Sequence, residues 1–253
     1  MVRLSVNVNK VATLRNSRGG SIPAVTEAVR VCLAAGAPGI TVHPRADRRH
    51  ITPDDVRAVA ALLAQSAPGV EYNLEGDPRS EFLALVREVR PHQCTLVPVM
   101  PGEVTSQAGW PVNTPQRELR GAVETLAAAH VRVSLFIEPT PAAIEWAAGA
   151  GAQRIELYTE PYARAYERGG RDRQDSYALY ADAARRAHDL GLGVNAGHDL
   201  SLDNLPLFAT IPHLAEVSIG HALISHALFV GLDRAVRDYL AALSAPAAAG
   251  RTW

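Results

Sequence analysis

The sequence predicts an α/β protein built as a single (β/α)8 TIM barrel with extra loop and helix insertions, and three observations predict it. Eight short segments rich in Val, Ile, Leu or aromatic residues recur along the 253 residues. Helical patterns separate them, many opened by a capping residue and a proline. No G-x-G-x-x-G follows the first segment, where an open doubly wound sheet would often carry one. Barrels of about 250 residues routinely form one domain, so the reading places one catalytic domain over 1–243 and a disordered Ala/Pro/Gly-rich tail over 244–253.

The strand segments are Leu4–Asn9, Gly39–Pro44, Val70–Gly76, Gln93–Pro98, Arg132–Pro139, Arg154–Glu160, Gly193–Asp199 and Glu216–Ala222. Each has the length of a buried strand. Between them, Phe82, Leu85, Val86 and Val89 repeat on one helix face, as do Leu119, Ala122, Val123 and Leu126. Thr52-Pro53, Asp77-Pro78, Thr114-Pro115 and Thr140-Pro141 read as helix starts. The cap oxygen accepts an otherwise unpaired N–H, and proline has none to leave unpaired. Gly36, Gly149 and Gly191 read as helix ends. Two long connections, Val99–Thr114 and Pro161–Asp175, read as binding or lid loops.

Composition narrows the function. With 25 basic and 26 acidic residues the net charge is −1, which gives no support for a nucleic-acid or membrane-surface partner. No apolar run reaches the ~18 residues of a membrane span. The first residues enter a strand pattern at once, without the apolar stretch of a secretory leader, so a cytoplasmic location is expected. Cys32 and Cys94 fall in helix and strand patterns and read as reduced core residues.

In a barrel, alternate strand residues point inward and the chemistry sits at the strands' C-terminal ends. That rule puts His43 and Arg45 on one face of the second strand, Asn73 and Glu75 on one face of the third, and Glu156 and Tyr158 inside the sixth. Asn7 and Asn9 share a face at the end of the first, and the last two strands end in Gly197-His198-Asp199 and Gly220-His221. Each residue alone has a structural explanation. Together, at one mouth, they suit proton transfer, because histidine titrates near neutrality and a buried carboxyl is pushed upward. Arg18, Arg45 and His50 can hold an anion, and Gly197 and Gly220 allow close backbone approach to a phosphate. By residue type, His43, His198, His221 and Glu75 could bind zinc, but no H-x-H or H-E-x-x-H pair occurs and arginines surround His43, so no metal is expected.

The order of these motifs resembles the pyridoxine 5′-phosphate synthase family. The resemblance rests on Val6-Asn7-Val8-Asn9-Lys10 through Arg18-Gly19, Gly39-Ile40-Thr41-Val42-His43-Pro44-Arg45, Arg48-Arg49-His50-Ile51 and Asn73-Leu74-Glu75. Further on it rests on Glu103-Val104-Thr105, Val133-Ser134-Leu135-Phe136-Ile137, Val194-Asn195-Ala196-Gly197-His198 and Ile219-Gly220-His221-Ala222. It implies a homo-octameric barrel without metal or organic cofactor. The implied reaction condenses 3-amino-2-oxopropyl phosphate with 1-deoxy-D-xylulose 5-phosphate to pyridoxine 5′-phosphate, inorganic phosphate and water. It further implies that His43 and Glu75 accept protons, His198 donates one and Glu156 stabilises transition-state charge. Asn7, Arg18, Arg45, His50, Thr105, Gly220 and His221 would bind the two phosphorylated substrates.

Two departures stand out. Asn9-Lys10 replaces the commoner Asp-His, and Asp199 stands where the family usually has glycine. The side chain of Asp199 is expected to turn from the anion while its backbone N–H serves. Lys10 is the only lysine in a chain that otherwise uses arginine, and it falls at the mouth. Arginine is bulkier, planar and always charged, so Lys10 is read as a contact to substrate oxygen or phosphate. Two other readings stand beside the synthase. One is a Schiff-base aldolase using Lys10, and the other is a non-catalytic metabolite-binding barrel.

Overall fold

The computed structural model describes residues 1–98 and 108–244. Its first half runs β1 (Arg3–Asn7), α1 (Asn9–Asn16), α2 (Val25–Ala34), β2 (Gly39–Val42), α3 (Pro53–Ser66), β3 (Glu71–Gly76), α4 (Ser80–Val89), β4 (Gln93–Leu96) and α5 (Gln116–Ala128). The second half runs β5 (Arg132–Ile137), α6 (Pro141–Gly149), β6 (Arg154–Tyr158), α7 (Glu160–Arg168), α8 (Gly170–Asp189), β7 (Gly193–Gly197), α9 (Leu205–Phe208), β8 (Leu214–Ile219), α10 (His221–Val230) and α11 (Leu232–Ser244). Every strand pairs in parallel with its sequence neighbours, and β8 closes on β1 with Ser5 opposite Ser218. The fold is a (β/α)8 barrel.

Alternation along the strands divides two environments. Leu4, Val6, Ile40, Val42, Leu74, Leu96, Val133, Leu135, Ile155, Leu157 and Val217 are fully buried in the layer between sheet and helices. The residues between them fill the barrel, and most are polar. Ser5 and Thr41 hydroxyls meet at 2.7 Å, Asn73 Nδ2 donates to Thr41 Oγ1 at 3.3 Å, and Thr95 Oγ1 donates to Asn73 Oδ1 at 3.1 Å. Below them, Arg3 and Arg132 both pair with Glu71, and Arg154 donates to Asn195 Oδ1 at 2.7 Å. Buried polar groups of this kind persist only because they are hydrogen-bonded to one another.

Glu216 sits in this lower layer, and burial, with Glu71 nearby, pushes its carboxyl up to about 7. The stability of a carboxyl raised in the folded state is fully present below its unfolded value of about 4.5 and is lost as pH rises through about 7. Ionising it in the folded chain costs on the order of 3 kcal/mol more than in the unfolded chain. Glu216→Gln is therefore expected to flatten the loss of stability between pH 5 and pH 8 by on the order of 3 kcal/mol, read from denaturant unfolding across that range. An unaltered slope would contradict the assignment.

Several element boundaries differ from the sequence expectation. β3 ends at Gly76 as expected, the other seven strands end earlier, and Asn9 opens α1 instead of extending β1. Thr52 and Thr140 cap their helices by accepting Asp55 N–H and Ala143 N–H. Asp77 does not cap α4. It pairs with Arg79, and the helix starts at Ser80. Thr114 does not cap α5, because extended Pro115 occupies the position before Gln116. Gly36 and Gly191 take the left-handed φ of helix ends, at 95° and 79°, but after α6 that role falls to Gly151, at 87°. Gly149 is instead the last residue of α6, where a Cβ would collide with Gln116.

The connection Pro161–Asp175 is not a loop. Its arginines make i,i+4 pairs, Arg164 with Glu160, Arg168 with Asp172 and Arg171 with Asp175, which support helix. Gly169, with φ 72°, divides the segment into α7 and α8. In the other long connection, residues 99–107 lie outside the described residues, as do the tail residues 245–253. Cys32 and Cys94 are buried and unpaired with each other. Among the described residues, no helix is long and apolar enough to cross a membrane.

Candidate active site

The C-terminal ends of the strands open into a cavity of about 400 Å³. β1 and the start of α1 supply Asn7, Asn9 and Lys10 to its lining. The Asn7 Oδ1 accepts the Asn9 N–H at 3.0 Å, which turns the chain sharply from strand into helix. Asn9 Oδ1 then accepts the His43 N–H at 2.9 Å, tying this turn to the end of β2. Lys10 follows in the first turn of α1 and faces the same space.

His43 and Glu75 form the buried centre. Nδ1 of His43 lies 3.9 Å from Glu75 Oε2. Asn7 Nδ2 and Ser218 Oγ each donate to the Glu75 carboxylate at 3.4 Å. Burial lowers His43 well below the usual imidazole value, and the cations Arg45 and Arg79 act in the same direction. Burial, with Glu216 below, pushes Glu75 up to about 7. Desolvation thus favours the uncharged form of both groups. An uncharged imidazole is a proton acceptor, and a carboxyl near 7 can give or take a proton at neutral pH.

Glu156 lies deeper, 2% exposed, and burial together with Glu75 and Glu216 raises it well above the carboxylate range. Gly197 on the adjacent strand makes its room. A Cβ there would collide with Glu156 Oε1. Beside the close backbone approach to phosphate expected of Gly197, the packing gives it this further task. Gly220 has a comparable constraint, since a Cβ would come within 3.1 Å of Asn7.

His198 stands on the opposite wall. Its ring packs 4.8 Å from Phe136 and 5.5 Å from Tyr158, which with Val97 form an apolar cluster inside the mouth. Burial lowers its pKa, and the neighbouring Asp199 carboxylate opposes that shift. Asp199 itself is exposed and left-handed, with φ 59°. Phe136 was absent from the sequence-based site, although it continues the inward series Arg132, Ser134, Phe136 of β5.

The remaining wall is cationic. Arg45 is buried at the cavity, and Arg49, which the sequence reading assigned no role, lines it as well. The Arg49 guanidinium hydrogen-bonds Asp47 at 2.7 Å and holds that carboxyl down at about 2. His50 accepts the Ile51 N–H on Nδ1 at 2.9 Å, and burial beside Arg45 pushes it down to about 4. Gly220 and His221, at the start of α10, complete the rim. Uncharged His50 with Arg45, Arg49 and Lys10 makes a polar, net positive surface fit for a phosphate.

Two expected members are not brought here. Arg18 is exposed in the turn after α1 and does not line the cavity. Thr105 lies outside the described residues. Among the described residues, no three His, Cys, Asp or Glu side chains group as metal ligands.

Comparison with known proteins identifies the family. The family model described as "Pyridoxal phosphate biosynthesis protein PdxJ" matches residues 4–245. Pyridoxine 5′-phosphate synthase of Bacteroides fragilis (strain YCH46) is 50% identical over 240 residues, covering 94% of this chain and 98% of its own. The protein of the same name from Xanthomonas campestris pv. campestris (strain B100) is 51% identical over 249 residues, covering 95% and 96%. Among solved structures, phosphoribosyl anthranilate isomerase from Thermus thermophilus superposes with a TM-score of 0.58 at 17% identity, covering 96% of this chain and 98% of that one. At that identity the likeness extends to the barrel fold alone.

Proposed function

The chain belongs to the PdxJ family of pyridoxal phosphate biosynthesis proteins, and from that premise we propose how its cavity makes pyridoxine 5′-phosphate. It is an enzyme of this family, and the reaction is the condensation of 3-amino-2-oxopropyl phosphate with 1-deoxy-D-xylulose 5-phosphate, releasing inorganic phosphate and water. The observation that carries the site assignment is the meeting, in one cavity, of the buried His43, Glu75 and Glu156 and the half-buried His198 with a cationic wall.

His43 and Glu75 act as proton acceptors. The imidazole is uncharged at neutral pH, and Glu75 is ionised or protonated according to the step. His198 donates a proton to a leaving oxygen; burial lowers its pKa, and the Asp199 carboxylate partly offsets that shift toward the protonated form the step needs. Glu156, which burial biases toward its protonated form, donates a hydrogen bond to negative charge developing on substrate oxygen. Asn7, Asn9, Lys10, Arg45, His50, Asp199, Gly220 and His221 bind the two phosphorylated substrates, with Arg49 joining the anion wall. For Arg18, which lies outside this cavity, and for Thr105, a substrate-binding role rests on the family resemblance alone. No metal or organic cofactor enters the scheme, and the homo-octamer and the cytoplasmic location belong to the same reading. α10 leaves Leu228 and Phe229 exposed, an apolar face that assembly would cover.

Mixing the purified protein with the two substrates is expected to generate the ultraviolet absorbance of the pyridinol product. Folded protein and authentic substrates without product would reject the reading. Lys10→Arg is expected to lower kcat/KM tenfold or more, about 1.4 kcal/mol of binding at the transition state, because a planar guanidinium cannot occupy the ammonium's position. Wild-type kinetics in that variant would remove Lys10 from the site. Borohydride with a keto substrate is expected to leave no adduct on Lys10, and a trapped adduct would favour Schiff-base chemistry.

A further inference from the structure

The turn that carries His198 is made of strained backbone. His198 and Asp199 have φ of 80° and 59°, the left-handed region that side chains with a Cβ avoid. Two such residues in succession persist only where the surroundings over-determine the conformation. Any relaxation of this backbone would change the placement of the imidazole, whose ring lies 4.8 Å from Phe136 and 5.5 Å from Tyr158.

Buried polar side chains oppose that relaxation. Thr159, the residue after β6, has no exposed surface. Its N–H donates to the Gly197 carbonyl at 3.0 Å, and its hydroxyl lies 2.7 Å from the same carbonyl. The hydroxyl also reaches the carbonyl of His198. A threonine hydroxyl has one proton to give. Since the Thr159 N–H already serves Gly197, that proton is available to His198. Farther along, Asn204 Nδ2 donates to the Asp199 carbonyl at 3.1 Å. Asn204 is itself held by the Ser201 N–H at 2.9 Å and by the Tyr162 hydroxyl at 3.1 Å. Three successive carbonyls, those of Gly197, His198 and Asp199, are thus tethered by two buried side chains. Neither Thr159 nor Asn204 lines the cavity.

We propose that Thr159 is a positioning residue for the reaction. Its hydroxyl locks the left-handed turn after β7 and so keeps the His198 imidazole at the cavity wall. A β-branched apolar residue would fill the same space between β6 and β7, so packing alone does not call for a hydroxyl here. The hydroxyl is called for by the His198 carbonyl, which the strained turn leaves without a partner in the barrel's strand ladder. This assignment rests on the reading of His198 as proton donor.

The test is a set of substitutions assayed for pyridoxine 5′-phosphate formation at saturating substrates. Thr159→Val keeps the shape and deletes the hydroxyl, and Thr159→Ser keeps the hydroxyl and deletes the methyl. Thr159→Val is expected to lower kcat at least twentyfold with both KM values within threefold of wild type, and Thr159→Ser to stay within threefold in kcat. A kcat for folded Thr159→Val within twofold of wild type overturns the proposal. So does a loss in Thr159→Ser as large as that in Thr159→Val, since the methyl would then be what matters. Should Thr159→Val fail to fold, Thr159→Ala takes its place under the same criteria. If neither folds, the hydroxyl serves stability and the proposal falls. His198→Gln separates the two layers of the argument. Wild-type turnover in that variant removes the donor role of His198, whereas an inactive His198→Gln beside a fully active Thr159→Val removes the tether alone.

Discussion

Glu75→Gln is expected to lower kcat for pyridoxine 5′-phosphate formation by about a thousandfold, within the range lost when a general acid–base group is removed. Glutamine keeps the size of the side chain and can still accept from Asn7 and Ser218, so the cavity should survive. What it lacks is the exchangeable proton. The wild-type pH profile carries the same signature. Burial holds Glu75 at about 7, so a step that needs its ionised form should accelerate as pH rises from 6 to 8 and level off above that. Glu75→Gln should abolish this limb as well as the rate. A variant with an intact limb would transfer the acceptor role to another group. His43 is not a substitute on that limb, because burial lowers it well below the imidazole range and it stays uncharged throughout.

Gly197→Ala is expected to lower kcat about a hundredfold, the order of loss that a displacement of about 1 Å can cause at a reacting centre. The added methyl collides with Glu156 Oε1 and has the Ser218 carbonyl at 3.3 Å on its other side. Neither neighbour yields easily, since Glu156 is enclosed in the barrel and Ser218 is strand backbone. Overpacking of this kind costs about 1–3 kcal/mol of stability as well. Kinetics and denaturant unfolding on one preparation measure both. Wild-type turnover with unchanged stability would mean that Glu156 has free space the packing does not show.

The parts of the site legible in the sequence are those governed by local periods. Alternation by two along a strand assigns His43, Glu75 and Glu156 to the inside whatever the rest of the chain does. Motif order then joins them to Asn7, His198 and Gly220. The same rule, carried to the lower ends of the strands, would have found Glu71, Arg132, Arg154 and Glu216. A preference for apolar filling hid them, whereas in this barrel Glu71 pairs with Arg3 and Arg132, and Arg154 with Asn195. Arginine-rich Pro161–Asp175 is helical where its composition suggests a loop, for a related reason. Glycine and charge suggest a loop, but charges spaced four apart stabilise a helix.

By itself, then, the sequence determined the parallel barrel, the face of each strand, and the family to which the chain belongs. The tertiary structure alone decided protonation, strain and reach. Glu75 sits near 7 and His50 near 4 because strands distant in sequence exclude water around them, and desolvation depends on enclosure that no local pattern encodes. The task of Gly197 exists only because β7 lies against Glu156 of β6, and the left-handed turn at His198 is held by Thr159 from 39 residues earlier in the chain. Arg18 shows the converse. Its type and spacing suit an anion site, but the turn after α1 leaves it outside the cavity that Lys10, eight residues before it, lines.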